Sequence, residues 1–121
     1  MKITRFEDLA VWQKSREFAV AVYRVTQDRP MKRDFGLRDQ LQRAAVSVMS
    51  NIAEGFDRYS RAEFRQFLSI ARGSAAEVRS QLHLAVELGY ISRDEFARLN
   101  TLCLEITRML AALRNIVGAP H

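Results

Sequence analysis

The sequence is poor in the residues that cross-linking and catalysis need. It has a single cysteine, Cys103, so no disulfide can close within the chain. Its two histidines, His83 and His121, form no recognised zinc-ligand spacing with that cysteine. Neither histidine follows a glutamate by three residues, the pairing that di-iron sites in helix bundles use. A glycine-rich phosphate loop and a nucleophile elbow are both missing. No apolar run approaches the roughly eighteen residues of a membrane span. Near the N-terminus, charge at Glu7 and Asp8 intervenes before an apolar signal-peptide core can develop. These absences argue against an enzyme, a metal or cofactor site and a membrane partner, and make the cytoplasm the expected compartment.

Turn formers are equally scarce. Two prolines and five glycines interrupt 121 residues, and no alternating run bounded by turn residues marks a strand. With 48% hydrophobic and 27% charged residues, the chain has the composition of one soluble globular domain. Apolar spacing is helical almost throughout and predicts helices over about 9–27, 35–54, 61–88 and 93–117. Asp8 is the expected N-cap of the first, with Pro30 closing its exit. Ser60 with Glu63 and Ser92 with Glu95 read as capping boxes opening the third and fourth. Gly55, Gly89 and Gly118 stand where helices two, three and four should stop. Short joints between long helices force antiparallel neighbours, so the expected fold is all-α, an up-down-up-down four-helix bundle. Its seam should hold Val11, Phe18, Val22 and Val25 from helix one, and Leu37, Leu41, Val48 and Ile52 from helix two. Helix three should add Phe64, Phe67, Ala71, Val78 and Leu82, and helix four Leu99, Ile106, Leu113 and Val117. The short end Gly118-Ala119-Pro120-His121 is expected to fray.

Helix one is more apolar than a bundle needs. At about 100° per residue its apolar side chains cover roughly 220°, because Leu9, Trp12, Val20 and Tyr23 lie away from the seam. Leu104 on helix four is similarly displaced. Either these are scattered surface residues or they form a second contact face, and their concentration on one helix favours homo-oligomerisation.

Charge gives the clearest functional hint. The net charge is +5, the pI about 10.0, and 16 of the 19 basic residues are arginine. With Arg61 at zero on a helical wheel, Arg65 falls at about 40°, Arg72 at about 20° and Arg79 near zero. Glu63 and Glu77 occupy the opposite flank. Arg58 can extend this row, and Arg29, Lys32 and Arg33 form a second basic loop. A linear edge of arginines can follow the phosphate backbone of RNA or DNA, releasing counterions at each contact. The competing explanation is structural: the arginines lay their stems over the core or, in an oligomer, pair with a neighbouring subunit's acids, with Glu17, Asp39, Glu87 and Glu105 as candidates. An aromatic platform for stacking single-stranded bases is not evident beside the row. In the second to third helix joint, Asn51 and Glu54 are expected to tie the end of helix two to the Ser60 and Glu63 cap as a hydrogen-bonded corner. Cys103 is expected to be a packed core thiol, and His83 a surface or half-buried residue.

The joint also carries a family resemblance. FEDLAVWQKS (Phe6–Ser15), FGLRDQLQRAAVSVMSNIAEGF (Phe35–Phe56) and SRAEFRQFLSIARGSAAEV (Ser60–Val78), followed by ELGYIS, resemble the four-helix proteins associated with intervening sequences in bacterial 23S ribosomal RNA genes. The likeness runs from Phe6 to about Ser92, while helix four matches only in pattern. It implies a small cytosolic bundle that assembles as a homopentamer, with suspected RNA binding and no assigned catalytic residues. The chain is also similar to the accessory proteins of diversity-generating retroelements, which implies a reverse-transcriptase-like partner. Met49 departs from the pattern, standing where proline is usual, so the kink a proline would impose on helix two is in question. The functional reading is an oligomeric, non-enzymatic bundle that binds RNA or DNA without sequence readout. The alternative is a structural or protein-interaction scaffold.

Overall fold

The structure, a computed structural model, describes residues 2–28 and 30–118. Four long helices account for most of it: α1 Ala10–Thr26, α2 Phe35–Phe56, α3 Arg61–Glu87 and α4 Arg93–Gly118, and no strand occurs among the described residues. Each boundary lies within two residues of that expected from the spacing. Arg29 and the closing Ala119-Pro120-His121 lie outside the described residues.

The ends of the helices show why the chain breaks where it does. Asp34 caps α2, its carboxylate accepting from the Leu37 N–H at 3.1 Å. Ser92 and Glu95 form a reciprocal box at α4: the Glu95 N–H donates to Ser92 Oγ at 3.0 Å, and the Ser92 N–H to Glu95 Oε1 at 2.8 Å. At α3, Ser60 Oγ accepts from the Glu63 N–H and donates to Glu63 Oε1, both at 3.1 Å. α3 ends in a Schellman turn, with the Tyr90 N–H donating to Ala85 O at 2.9 Å and the Gly89 N–H to Val86 O at 3.0 Å. Gly89 has φ of 76°, which explains glycine there.

Two expected boundary roles are corrected. Asp8 does not cap α1. It sits in a 3-10 turn over Phe6–Asp8 and pairs with Arg5 at 3.4 Å, while Leu9 occupies the cap without a side-chain bond. Gly55 does not terminate α2 but lies inside it, where a Cβ would be 2.5 Å from Phe67 Cβ. It is there for close approach of α3 rather than for a turn. α2 is one continuous helix through Met49, which is half-buried against the core.

Cross-helix bonds fix the directions. Gln40 meets Gln81 at 3.3 Å and Ser47 meets Ser74 at 2.9 Å, so progress along α2 is matched by regress along α3. Arg79 meets Asn100 and Ser69 meets Arg114, which sets α4 antiparallel to α3. Gln42 donates to the buried Thr26 hydroxyl at 2.9 Å, which ties α2 to the end of α1. α1 packs on α2 and α4, α3 packs on α2 and α4, and the α1–α4 contact is the thinnest of the four. The result is the expected up-down-up-down bundle.

The core follows the predicted seam except at Phe67, which is half-buried beneath Arg58 and stands outside the core. Phe18, Val22, Leu41, Val48, Ile52, Val78, Leu82 and Ile106 are fully buried, and Leu37, Phe64, Leu113 and Val117 pack around them. Burial of this kind stabilises by about 1.5–3 kcal/mol for each large apolar side chain. Leu68, Met31 and Leu110 complete the core beyond the predicted positions. Leu9 and Trp12, expected on an outer contact face, are instead buried, each 8% exposed. The N-terminal turn brings Phe6 edge-on to Trp12, with ring centroids 5.2 Å apart, and Arg16 covers the Trp12 ring at 5.0 Å. The outward apolar surface of α1 therefore reduces to Val20 and Tyr23, 44% and 37% exposed.

Candidate nucleic-acid interface

The helical period of α3 brings Arg61, Arg65, Arg72 and Arg79 along one edge, and the packing of α4 sorts them. Arg61 and Arg72 are exposed, whereas Arg65 and Arg79 are half-buried along the α4 seam. Arg79 Nε donates to Asn100 Oδ1 at 3.1 Å. Arg65 lies against the end of α4, where a Cβ on Gly118 would come 2.5 Å from Arg65 Nε. That Nε is buried and has no hydrogen-bond partner. The expected row of four arginines along one edge is thus an alternation of outward and seam-facing groups.

α4 contributes a further arginine. Arg114 Nε donates to Ser69 Oγ at 2.7 Å, which sets its guanidinium beside the row. Arg72 and Arg114, with Ser69, Gly73 and Ala76, line a shallow groove of about 510 Å³. Arg65, Arg72, Arg79 and Arg114 make no salt bridge among the described residues. Of the acids offered as partners from a neighbouring subunit, Asp39 pairs within the chain with Arg38 at 3.0 Å and Glu105 with Lys14 at 3.4 Å.

Other expected members do not join. Arg58 pairs with Glu54 at 3.0 Å and lies over the Phe67 ring at 5.0 Å, so it secures the α2–α3 joint. Lys32 and Arg33 stand in the α1–α2 connection, at the opposite end of the bundle from Arg58 and Arg61. Arg29 falls outside the described residues.

The Asn51 corner is also different. Asn51 Nδ2 donates back one turn, to Ser47 O at 2.8 Å and Ser47 Oγ at 2.9 Å. It reaches α3 only through Ser47, whose hydroxyl meets that of Ser74. Glu54 does not reach the Ser60 and Glu63 cap; it holds Arg58. The short order of polar residues in this joint is therefore two local devices, an α2–α3 hydroxyl bridge and a capped turn pinned by Arg58. At the other end, Tyr90 Oη donates to Asp34 Oδ2 at 3.0 Å, a tie that sequence reading missed. This bond, with burial and the Asp34 charge behind it, raises the Tyr90 pKa above its usual value.

No group of three or more histidine, cysteine, aspartate or glutamate side chains could hold a metal among the described residues. His83 is exposed and packs edge-on to Phe96 at 4.8 Å. Cys103 is buried and donates to Ala75 O at 3.2 Å, and burial raises its thiol from an ordinary 9.0 to about 11. No helix among the described residues is long and apolar enough to cross a membrane. A second and larger groove, of about 1190 Å³, separates α1 from α4, with Val20, Ala21, Leu102 and Met109 among its lining. Leu104, half-buried, stands on α4 nearby but does not line it.

These features define an antiparallel four-helix bundle with an arginine-bearing α3–α4 edge. The chain belongs to the 23S rRNA-intervening sequence protein family, whose pattern it matches over residues 7–112. It is also similar to a crystal structure from Bacteroides thetaiotaomicron VPI-5482, a protein of unknown function in the S23 ribosomal protein family. That likeness has a TM-score of 0.80 at 30% identity, covering 91% of this chain and 100% of the other. Among curated proteins none matches.

Proposed function

We propose that this protein is a non-enzymatic, homo-oligomeric bundle that binds RNA or DNA through phosphate contacts, without reading sequence. The observation that carries the reading is the α3–α4 edge, where Arg72 and Arg114 share a groove with no carboxylate in its lining among the described residues. Arginine's planar fork suits phosphate oxygens, and an edge made of successive helical turns tracks a backbone rather than base edges. Arg61 and Arg72 offer outward contacts, Arg114 adds one from α4, and Arg65 and Arg79 supply positive potential from the seam. Nucleic acid held this way binds through counterion release, which is sequence-independent.

Self-assembly is supported by the α1–α4 groove. The two helices touch least along this face, and Val20 is 44% exposed within the opening. Covering such a floor with another copy would remove apolar surface from water. The pentamer, cytoplasmic location and reverse-transcriptase-like partner implied by the family resemblance belong to the same reading. The scaffold alternative keeps the assembly but leaves the arginines to acids of a neighbouring protein.

The test combines oligomer mass with binding to generic RNA and DNA duplexes. The variant carries Arg61→Gln, Arg72→Gln and Arg114→Gln. An assembled wild type that binds both duplexes, and an equally assembled variant that does not, support the proposal. An assembled wild type that binds neither at low salt would favour the scaffold.

A further inference from the structure

We propose that Arg72, Arg114 and Ser69 form a discrete phosphate seat on the α3–α4 groove, floored by Gly73 and Ala76. The inference rests on the nucleic-acid reading and sharpens it: one phosphodiester group is held at this point, rather than diffusely along the edge.

Helical spacing puts Ser69, Arg72, Gly73 and Ala76 on one face of α3, and together with Arg114 they line the groove among the described residues. A guanidinium carries five N–H donors. Arg114 uses its Nε on Ser69 Oγ at 2.7 Å, which fixes the plane of the group. Its terminal nitrogens are left as a fork, the geometry that matches two oxygens of a phosphate. Arg72 is exposed and has no hydrogen-bond or ion-pair partner among the described residues. The floor is kept low by small residues: a Cβ added at Gly73 would meet nothing within 4 Å. An oxyanion can therefore come close to the helix between the two arginines.

The electrostatics point the same way. Two like charges line one groove and no carboxylate stands in its lining among the described residues, so an anion placed between them is attracted by both. Serine supplies orientation without charge. A carboxylate also has two oxygens for the pair of arginines; a phosphodiester differs in that its chain continues along the row toward Arg61 and Arg79.

The test uses charge-neutral variants of the full chain, so any loss reports the seat and not the net charge. Gly73→Gln fills the floor, Ser69→Ala frees Arg114, and Ala112→Gln, at an exposed position on α4, is the control. Each is titrated with a labelled RNA duplex and, separately, with inorganic phosphate. We expect Gly73→Gln to weaken duplex binding at least about tenfold and to lower the salt slope by about 0.9, one phosphate contact. Ser69→Ala should weaken it about three- to tenfold, a partial loss because both charges remain. Ala112→Gln should match wild type. If wild type binds duplex and both groove variants bind it equally well, the seat is overturned while the nucleic-acid reading stands. Phosphate bound by wild type but not by Gly73→Gln supports the seat even without duplex binding, and only the polynucleotide reading then fails. If wild type binds neither ligand, the seat is overturned as well.

Discussion

Replacing Gly55 of α2 and Gly73 of α3 should have opposite effects. Gly55 and Gly73 are both helical, and intrinsic propensity alone would make either change to alanine stabilising by about 0.5–1 kcal/mol. Space separates them. At Gly73 a Cβ meets nothing within 4 Å, so the gain should be realised. At Gly55 it would lie 2.5 Å from Phe67 Cβ, 3.1 Å from Phe64 Cδ1 and 3.2 Å from Phe67 Cγ. Phe67 Cβ is fixed to its backbone and cannot rotate away, and carbon atoms pack comfortably only at about 3.5–4.0 Å. α2 and α3 would have to part by about 1 Å, where Phe56 and Phe64 also pack edge-on at 5.8 Å. Overpacking of this kind costs about 1–3 kcal/mol, leaving a net loss of about 0.5–2 kcal/mol after the propensity gain. In a domain of this size that lowers Tm by roughly 3–6 °C per kcal/mol. The assay is urea and thermal denaturation followed by helical circular dichroism. All proteins must be at one concentration, because assembly would make stability concentration-dependent. Gly55→Ala as stable as wild type, or Gly73→Ala clearly less stable, would refute the packing argument.

Asn51→Ala removes two bonds to Ser47 at a half-buried site and should cost on the order of 1–2 kcal/mol; an unchanged urea midpoint would contradict that role. Tyr90→Phe should lower the midpoint by cutting the tie to Asp34, with little effect on helix content. Cys103, buried and with its pKa raised to about 11, should resist thiol reagents in the native protein and react once it unfolds. Fast native labelling would show that the α3–α4 seam opens. The same group sets an alkaline trend. Because its folded pKa lies above its unfolded value, its contribution is fully present below about pH 9 and is lost as pH rises toward about 11. Tyr90, also raised, acts with the same sign as pH climbs past its ordinary 10.0. Cys103→Ala should flatten the first part of that decline; an equally steep fall in the variant would rule out this origin.

The fold was legible because helical period, capping serines and sparse turn formers all agree. Ser60 and Ser92 fix where α3 and α4 begin, and the apolar spacing identifies most of the seam. What was missed depended on tertiary position. The Phe6–Asp8 turn folds over Trp12, so the excess apolar arc of α1 is partly internal. Gly55 resembles a helix stop in sequence, yet its role is visible only once Phe67 is placed opposite it. The arginine row was legible from angles alone, but a helical wheel does not show that α4 half-covers Arg65 and Arg79. Arg114 was overlooked for the same reason. Its signal was available in the antiparallel order of α3 and α4, which sets the last third of α4 against the first third of α3. Asn51 was correctly placed at the rim of the core, but its nearest acceptor lies one turn back rather than across the joint.

The most direct test of the central claim is the salt dependence of duplex binding by the assembled protein. It is measured between about 50 and 200 mM salt for wild type and for the Arg61→Gln, Arg72→Gln, Arg114→Gln variant. If the edge is a phosphate track, wild-type affinity falls steeply with salt, and the variant's slope is shallower by about 0.9 for each phosphate it no longer neutralises. Equal slopes for the two proteins, or no binding by wild type at the low-salt end, would contradict it.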